Sequence, residues 1–557
     1  MVKELKVQIE DACRYLFDES IEVELTRPEE SFGDFSTNVA LKLAGKLQKS
    51  PRDIAQEIVI RLQDNDKLQE VNVAGPGFIN IRLKDRALFE SLISIENLSK
   101  SLAGKTIVTE YSDPNPFKIL HAGHLYTSIV GDTISNILET AGAKVHRVNY
   151  GGDVGLHVAK TMWAMIDDLK GEHAGKLEYI DENKRSDWLA GCYVKGTKAY
   201  EEDTQTKQEI NELNKRIYKI SLEQDKESEL GKIYWQTRKW SYDYFDDFYA
   251  RLGISFEKYY PESTVVNQGL ETVKANTPEI YSQSEGAIIY RGEEDGLHTR
   301  VFITKEGLPT YEAKEIGLIF QKKQDYDFDK SIIITANEQT QYMRVVLASL
   351  AKFAPDLVAR TTHLTHGMVK LPGAEKMSSR KGNFLRAVDI IDNAEQTSKA
   401  LNPKTTPAIV LGAVKYSFLK SSLGGDIIFD AEESVSLEGN SGPYLQYALV
   451  RANSILAKTD ADEASLSEIN QLNPTERSLL RKLTAYPEVI DTALYELAPH
   501  HICGYLYELA QTFNRFYENN KVIGDKRSAL RLKLVRSYAQ VLDNGLGILG
   551  IETPASM

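Results

Sequence analysis

Hydrophobic positions change their rhythm along the chain, and the changes mark out its parts. Over Val2 to Phe17 apolar residues recur at helical spacing, and the stretches Val39–Leu47 and Ser50-Pro51 through Leu62 repeat it. Val71–Val73 and Phe78–Leu83 read instead as a strand pair broken at Ala74-Gly75-Pro76-Gly77. Alternation in the second strand puts Phe78, Asn80 and Arg82 on one face and Ile79, Ile81 and Leu83 on the other. A compact α/β domain is therefore expected over residues 1–104. The exposed trio suits stacking and hydrogen bonding of an unstacked RNA base, although an ordinary solvated strand face has the same pattern.

From Lys105 the pattern becomes strand, glycine-bearing loop, helix. Thr106 to Thr109 is a β-branched run, Pro114 and Pro116 break the chain, and Leu125, Ile129, Ile134 and Leu138 then recur at helical spacing up to a stop at Gly142. Ala143 to Asn149 reads as a second strand ending in Gly151-Gly152-Asp153-Val154-Gly155, and Lys330 to Thr335 as a later one delivering Ala336-Asn337-Glu338-Gln339. Such alternation predicts a doubly wound parallel sheet with ligands beyond the carboxyl ends of its strands. Thr161 to Gly253 is long, charged and helical, and Glu201 to Lys226 is nearly all polar. It is expected to be a solvent-facing insertion (about 160–275) in a domain spanning 105–435. Ala287–Arg291 and Thr299–Thr304 predict a hairpin, and Pro309-Thr310-Tyr311 opens a helix through Lys322. From about Leu437 amphipathic helices predominate, which predicts an α-helical bundle over 436–557.

The 557 residues give room for three or four domains, and 42% apolar with 26% charged residues is an ordinary soluble composition. A net charge of −13 argues against indiscriminate coating of nucleic acid but leaves room for a local RNA-binding groove. Cys13, Cys192 and Cys503 lie far apart with no C-x-x-C spacing, so neither a disulfide framework nor a structural zinc site is expected. With no bilayer-length apolar run and no signal-peptide pattern, the chain reads as cytoplasmic with no membrane partner.

Two short motifs carry candidate chemistry. His121-Ala122-Gly123-His124 falls where a strand hands over to a helix N-terminus, whose unpaired N–H groups and positive dipole end suit phosphate. Imidazoles there donate to a phosphoryl group as its charge builds, and Gly123 lets a nucleotide approach. Lys376-Met377-Ser378-Ser379-Arg380-Lys381 carries three cations and two serines, which suits a clamp on polyphosphate and equally a basic surface loop.

Taken together and in this order, the two motifs resemble the signatures of class I aminoacyl-tRNA synthetases. Over nearly its whole length the chain looks like a member of the arginyl-tRNA synthetase family. The matching stretches include S-D-P-N-P-F-K-I-L-H-A-G-H-L, Y-G-G-D-V-G, T-Y-E-A-K-E, K-M-S-S-R-K-G-N, S-G-P-Y-L-Q-Y-A, F-N-R-F-Y-E-N and L-G-I-L-G-I-E-T-P. The resemblance implies a Rossmann-like catalytic domain with a helical insertion, an N-terminal α/β domain at the tRNA elbow and an anticodon-binding bundle. It implies ATP-dependent ligation of L-arginine to tRNA(Arg) through an arginyl-adenylate, with Mg2+ accompanying ATP.

By position in the motifs, His121 and His124 steady the phosphorus, and Lys376, Ser378 and Arg380 hold pyrophosphate. Ser379 stands where the class carries a second lysine, and either Lys118 or Lys381 is the substitute cation. Ala122, Gly123, Gly367, Met368 and Met377 fall in the ATP-binding stretches. Asn115 and Gln339 match the amino acid's α-amino end, Tyr311 and Glu315 its guanidinium end, and Glu110 is a second candidate carboxylate. Many relatives carry Asp in place of Glu315. Phe78, Asn80, Tyr444, Gln446, Phe513, Tyr517 and Met557 are the expected tRNA contacts, with core packing as the rival role for Phe513 and Tyr517. A monomer is expected. Rival readings are a class I synthetase of another amino-acid specificity and a non-catalytic tRNA-binding paralogue. Intact His121, His124 and Lys376 speak against the second, and the acidic look of the amino-acid pocket speaks against glutamate.

Overall fold

The computed structural model describes residues 1–372, 385–459 and 471–557. Lys376, Met377, Ser378, Arg380 and Lys381 lie outside the described residues. The chain divides into two compact units, one of Met1–Ser99, Tyr447–Asp491 and Gly504–Gly545, the other of Lys100–Gln446, Thr492–Cys503 and Leu546–Met557.

In the first unit, helices α1 (Val2–Phe17), α2 (Val39–Leu47) and α3 (Pro51–Leu62) accompany an antiparallel sheet of β1 (Phe35–Thr37), β2 (Leu68–Ala74) and β3 (Phe78–Leu83). The order is β1-β3-β2, so β3 is central. Its odd-numbered residues Ile79, Ile81 and Leu83 are buried, and Phe78, Asn80 and Arg82 point outward as the alternation predicts. β1 was not expected. It forms because Gly33, at φ 114°, brings the chain so close that a Cβ there would lie 2.7 Å from the Ile81 carbonyl oxygen, and because Asp34 accepts from the Leu83 N–H at 2.7 Å. The later part of this unit is helical, with Leu480, Leu509, Phe513, Phe516, Val535 and Tyr538 in its core.

The second unit is built on parallel strands. β4 (Thr106–Glu110), β5 (Lys144–Gly151) and β6 (Lys258–Pro261) run outward in sequence. An antiparallel meander of β7 (Ser282–Ser284), β8 (Ala287–Tyr290) and β9 (Arg300–Ile303) comes next along the chain, and β8–β9 is the expected hairpin. β10 (Lys330–Ala336) and β11 (Thr361–His366) then complete the sheet on the other side of β4, giving the order β11-β10-β4-β5-β6. The direction of winding reverses between β4 and β10, and a crevice opens there at the carboxyl ends of the strands.

The helices of this unit include α4 (Ala122–Thr140) after β4, then α5 (Leu156–Asp168), α6 (Arg185–Glu202), α7 (Thr204–Glu223) and α8 (Glu229–Leu252) after β5. α9 (Glu262–Ala275) follows β6, and α10 (Tyr311–Tyr326) precedes β10. Two expectations are corrected here. β6 and α9 lie within the 160–275 stretch read as an insertion, so the helical layer ends before Lys258. The polar stretch Glu201–Lys226 is not wholly solvent-facing either. α7 lays Ile210, Leu213, Ile217 and Ile220 into a core shared with Met162, Met165, Ile233 and Trp240. A thin apolar stripe at helical spacing is enough for that burial.

α9 and α10 cross closely. A Cβ at Gly269 would lie 2.2 Å from the Ala313 carbonyl oxygen, and one at Gly317 2.5 Å from that of Val265. On the same helix Lys314, Glu315 and Lys322 are buried.

Candidate active site

His121 is the N-cap of α4, and each histidine of the pair accepts a backbone hydrogen bond. The Gly123 N–H donates to His121 Nδ1 at 3.1 Å, and the His121 N–H donates to His124 Nδ1 at 3.2 Å. An Nδ1 that accepts carries no proton, so each neutral ring bears its hydrogen on Nε2. Burial, reinforced by the charge of Lys118, pushes the His121 pKa down to about 4 and holds His124 well below the usual imidazole range. At neutral pH the site therefore presents two uncharged Nε2–H donors, on rings tilted by 31° with centroids 3.9 Å apart. Gly123 is needed for this cap, because a Cβ there would lie 2.9 Å from His121 Cε1.

This loop is tied to the chain just beyond the basic motif. The Ala122 N–H donates to the Leu385 carbonyl at 2.8 Å, and the Ala387 N–H to the Leu120 carbonyl at 3.0 Å. Residues four to six positions after Lys381 thus pair with the histidine segment. Gly367 and Met368 follow the carboxyl end of β11, where the Met368 N–H donates to Asp426 at 2.8 Å. His366 beside them accepts from or donates to Thr127 of α4 at 2.7 Å.

Four carboxylates lie within reach of one another's charge and form a candidate acidic pocket: Glu110 at the end of β4, Asp113 in the loop after it, Glu262 at the start of α9 and Glu315 on α10. Two of them are closed by buried lysines, Glu110 by Lys322 and Glu262 by Lys314. Glu315 is only 3% exposed. Its Oε2 accepts from the Tyr342 hydroxyl at 3.3 Å, whereas its Oε1 finds no hydrogen-bond partner among the described residues. Burial, then the neighbouring Glu110 charge, pushes its pKa up to about 8. The same two causes hold Asp113 well above the carboxylate range. Two lysines against four acids leave Glu315 and Asp113 without a cation of their own among the described residues.

Tyr311 opens α10 one turn before Glu315, and the residue is 48% exposed. Asn115 accepts the Gly152 N–H on Oδ1 at 2.8 Å, which commits that oxygen to the loop after β5. Gln339 is exposed in the turn at the carboxyl end of β10. The expectation for Glu110 is revised, because its buried carboxylate is paired with Lys322.

The expected tRNA contacts separate by burial. Phe78 is 40% exposed, Asn80 and Tyr444 are half-buried, and Tyr517 is half-buried beneath Arg451 at 4.6 Å. Met557 is half-buried in the second unit. Two expectations fail on packing. Phe513 is 1% exposed and lies face to face with Tyr538 at 3.8 Å. Gln446 is fully buried and donates to the carbonyls of Ala408 and Glu552 at 3.0 and 2.6 Å. Neither side chain is available to a base.

Sequence reasoning missed Asp113, His157, Glu262, Lys314, Lys322 and Tyr342. One signal was available: Glu315 and Lys322, seven apart, fall on the same helix face as the apolar residues of α10. Charges on a core-facing stripe indicate buried pairs.

Comparison with known proteins agrees with this geometry. Residues 88–430 match the family described as tRNA synthetases class I (R), catalytic domain. Residues 3–83 match the arginyl tRNA synthetase N terminal domain, and residues 445–557 the DALR anticodon binding domain. The arginine–tRNA ligase of Treponema denticola is 30% identical, over 97% of this chain and 95% of that protein. That of Flavobacterium psychrophilum is 29% identical over 99% of each. Among solved structures, Thermus thermophilus arginyl-tRNA synthetase superposes with a TM-score of 0.81 at 25% identity, covering both chains fully. With its strand order, its histidine loop and these matches in agreement, the chain belongs to the class I arginyl-tRNA synthetase family.

Proposed function

We propose that the chain ligates L-arginine to tRNA(Arg) in two steps at the crevice between β4 and β10. In the first, an arginine carboxylate oxygen attacks the α-phosphorus of ATP, forming arginyl-adenylate and releasing pyrophosphate. In the second, a hydroxyl of the terminal ribose of tRNA attacks the carbonyl carbon, and AMP leaves. Mg2+ enters with ATP as part of that substrate.

The two Nε2–H groups of His121 and His124 donate to the phosphoryl oxygens as negative charge grows on them. Being neutral and held by backbone bonds, they need no reorganisation as the charge develops. Lys118 supplies a cation on the same loop, and Lys376, Ser378 and Arg380 hold the pyrophosphate. Gly367 and Met368 border the nucleotide. Asn115 and Gln339 orient the α-amino end of arginine, while Tyr311 and Glu315 receive the guanidinium. Phe78, Asn80, Tyr444 and Tyr517 contact tRNA, and the enzyme acts as a monomer in the cytoplasm. Among the described residues no helix is long and apolar enough to cross a membrane.

The observation that carries this reading is the unpartnered Oε1 of Glu315 in a pocket with more buried acids than cations. A guanidinium supplies both the missing charge and a fork of donors. Charging total tRNA with each of the twenty amino acids in turn tests it: arginine alone is expected to be attached. In the pocket, Glu315→Ala should raise the arginine KM far more than the ATP KM, and equal rises would remove Glu315 from the amino-acid site.

A further inference from the structure

The peptide of Gly152 fixes hydrogen-bond polarity on both sides of the pocket. Its N–H is donated to Asn115 Oδ1 at 2.8 Å, and its carbonyl oxygen lies 2.7 Å from His157 Nε2. A carbonyl only accepts, so His157 Nε2 must carry a hydrogen. The imidazole is buried on α5, and burial together with the charge of Lys118 holds it well below the usual range, hence neutral. A neutral ring protonated on Nε2 has a bare lone pair on Nδ1. That atom lies 3.2 Å from the Tyr311 hydroxyl, which must therefore donate its proton to His157. Gly152 allows this convergence: a Cβ there would lie 2.4 Å from Asn115 Oδ1, 3.1 Å from Glu262 Oε1 and 3.1 Å from His157 Cε1.

We propose that His157 is a positioning and specificity-determining residue, which commits the Tyr311 proton inward and so leaves the phenolic oxygen as an obligate acceptor toward the substrate side chain. The proposal rests on the reading of Tyr311 and Glu315 as the guanidinium end of the pocket, and adds a relay behind it, from the Gly152 carbonyl through His157 to Tyr311. The one contact the relay offers the ligand, the phenolic oxygen of Tyr311, is then an acceptor. A guanidinium, with only donors, satisfies them. A ureido group such as that of L-citrulline sets its own carbonyl against an acceptor and is rejected by the unpaired contact rather than by size. A tyrosine free to rotate its hydroxyl would donate to that carbonyl, and the discrimination would weaken.

The test compares His157→Phe, His157→Gln, Tyr311→Phe and the double variant His157→Phe/Tyr311→Phe in tRNA-supported ATP–pyrophosphate exchange. It measures arginine KM, ATP KM and the L-citrulline inhibition constant, with thermal melting as the folding control. Glutamine carries an acceptor and a donor on one planar group, as the imidazole does, and should restore the relay. His157→Phe is expected to raise arginine KM about tenfold and to lower the ratio of citrulline inhibition constant to arginine KM by a similar factor, with ATP KM within about twofold. His157→Gln should stay within about threefold of wild type. The double variant should be no worse than Tyr311→Phe alone, since both changes remove the same hydrogen bond. Additive losses, a folded His157→Gln as poor as His157→Phe, or parallel rises in arginine and ATP KM overturn the relay. The half-exposed Tyr311 tolerates phenylalanine whatever happens to the His157 variants, and unchanged citrulline discrimination in Tyr311→Phe overturns it too. Wild-type charging of another amino acid instead would overturn the pocket assignment itself.

Discussion

Arginine binding to this pocket should release a proton, because Glu315 holds one in the free enzyme. Its carboxyl is 3% exposed, one oxygen has no partner among the described residues, and its pKa is pushed up to about 8 by burial and by Glu110. A guanidinium binds well only to the ionised form. The apparent affinity is therefore the intrinsic affinity multiplied by the ionised fraction. With a pKa of about 8, that fraction is roughly one in thirty at pH 6.5 and about three in four at pH 8.5, so affinity should rise roughly 25-fold over this interval. At pH 7 about 0.9 proton should leave per arginine bound.

Stability should change in the opposite direction. A folded-state pKa raised above the ordinary 4.5 stabilises the free protein fully below 4.5, and that contribution is lost as pH rises through 8. The free enzyme should therefore melt earlier at pH 8.5 than at pH 6.5, and saturating arginine should remove most of the difference. Isothermal titration of arginine at several pH values, in buffers of different ionisation enthalpy, reads affinity and proton release together. Glu315→Gln should abolish both the slope and the released proton. An arginine affinity constant to within twofold from pH 6.5 to 8.5, with heats independent of buffer, would mean that Glu315 is already ionised in the empty pocket and would refute the reasoning.

Lys118→Ala should abolish arginine-dependent pyrophosphate exchange while Lys381→Ala stays near normal; the reverse outcome assigns the substitute cation to Lys381. Phe513→Ala should cost about 3–5 kcal/mol in denaturant unfolding and leave the tRNA KM unchanged in the folded fraction. Phe78→Ala should cost less than about 0.5 kcal/mol yet weaken tRNA binding by roughly 5- to 150-fold, the worth of one stacked base. Lys322→Met strands Glu110 in the core and should destabilise by about 3–5 kcal/mol, measured by urea unfolding; a Glu110→Gln/Lys322→Met double variant should recover much of that loss.

Local signals carried the fold a long way. α1, α2 and α3 follow from amphipathic spacing and from Pro51 at a helix start, and the outward face of β3 from strict alternation. β6 was hidden because its four residues, Lys258–Pro261, end in a proline and sit inside a long charged helical stretch. Their strand character comes from pairing with β5, and no local propensity announces that. At the site, the histidine pair was legible because cap and motif are adjacent in sequence. Glu110 was not, since its fate depends on Lys322, 212 residues on. Phe513 and Gln446 carry the right chemistry for RNA, and only packing against Tyr538 and the Glu552 carbonyl reveals that they are already occupied.

The lysine pairs also bear on how one crevice serves substrates of opposite charge. Four ionised acids beside the histidine loop would repel a triphosphate, and the two imidazoles, being neutral, add no charge against them to that of Lys118. Lys322 and Lys314 each neutralise one acid in place, and a pKa pushed up to about 8 keeps Glu315 largely protonated at neutral pH while the pocket is empty, with Asp113 shifted in the same direction. The empty crevice is therefore close to neutral. On the proposed reading, negative charge should appear on Glu315 only when a guanidinium arrives to meet it, so that the pair adds little field at the phosphates. An aspartate at that position, one methylene shorter, would hold its charge further from the Tyr342 hydroxyl, and the longer Glu315 side chain here reaches that donor at 3.3 Å. On that reading, selectivity for a cation and tolerance of ATP have one cause: acids whose charge is either paired already or supplied only on demand.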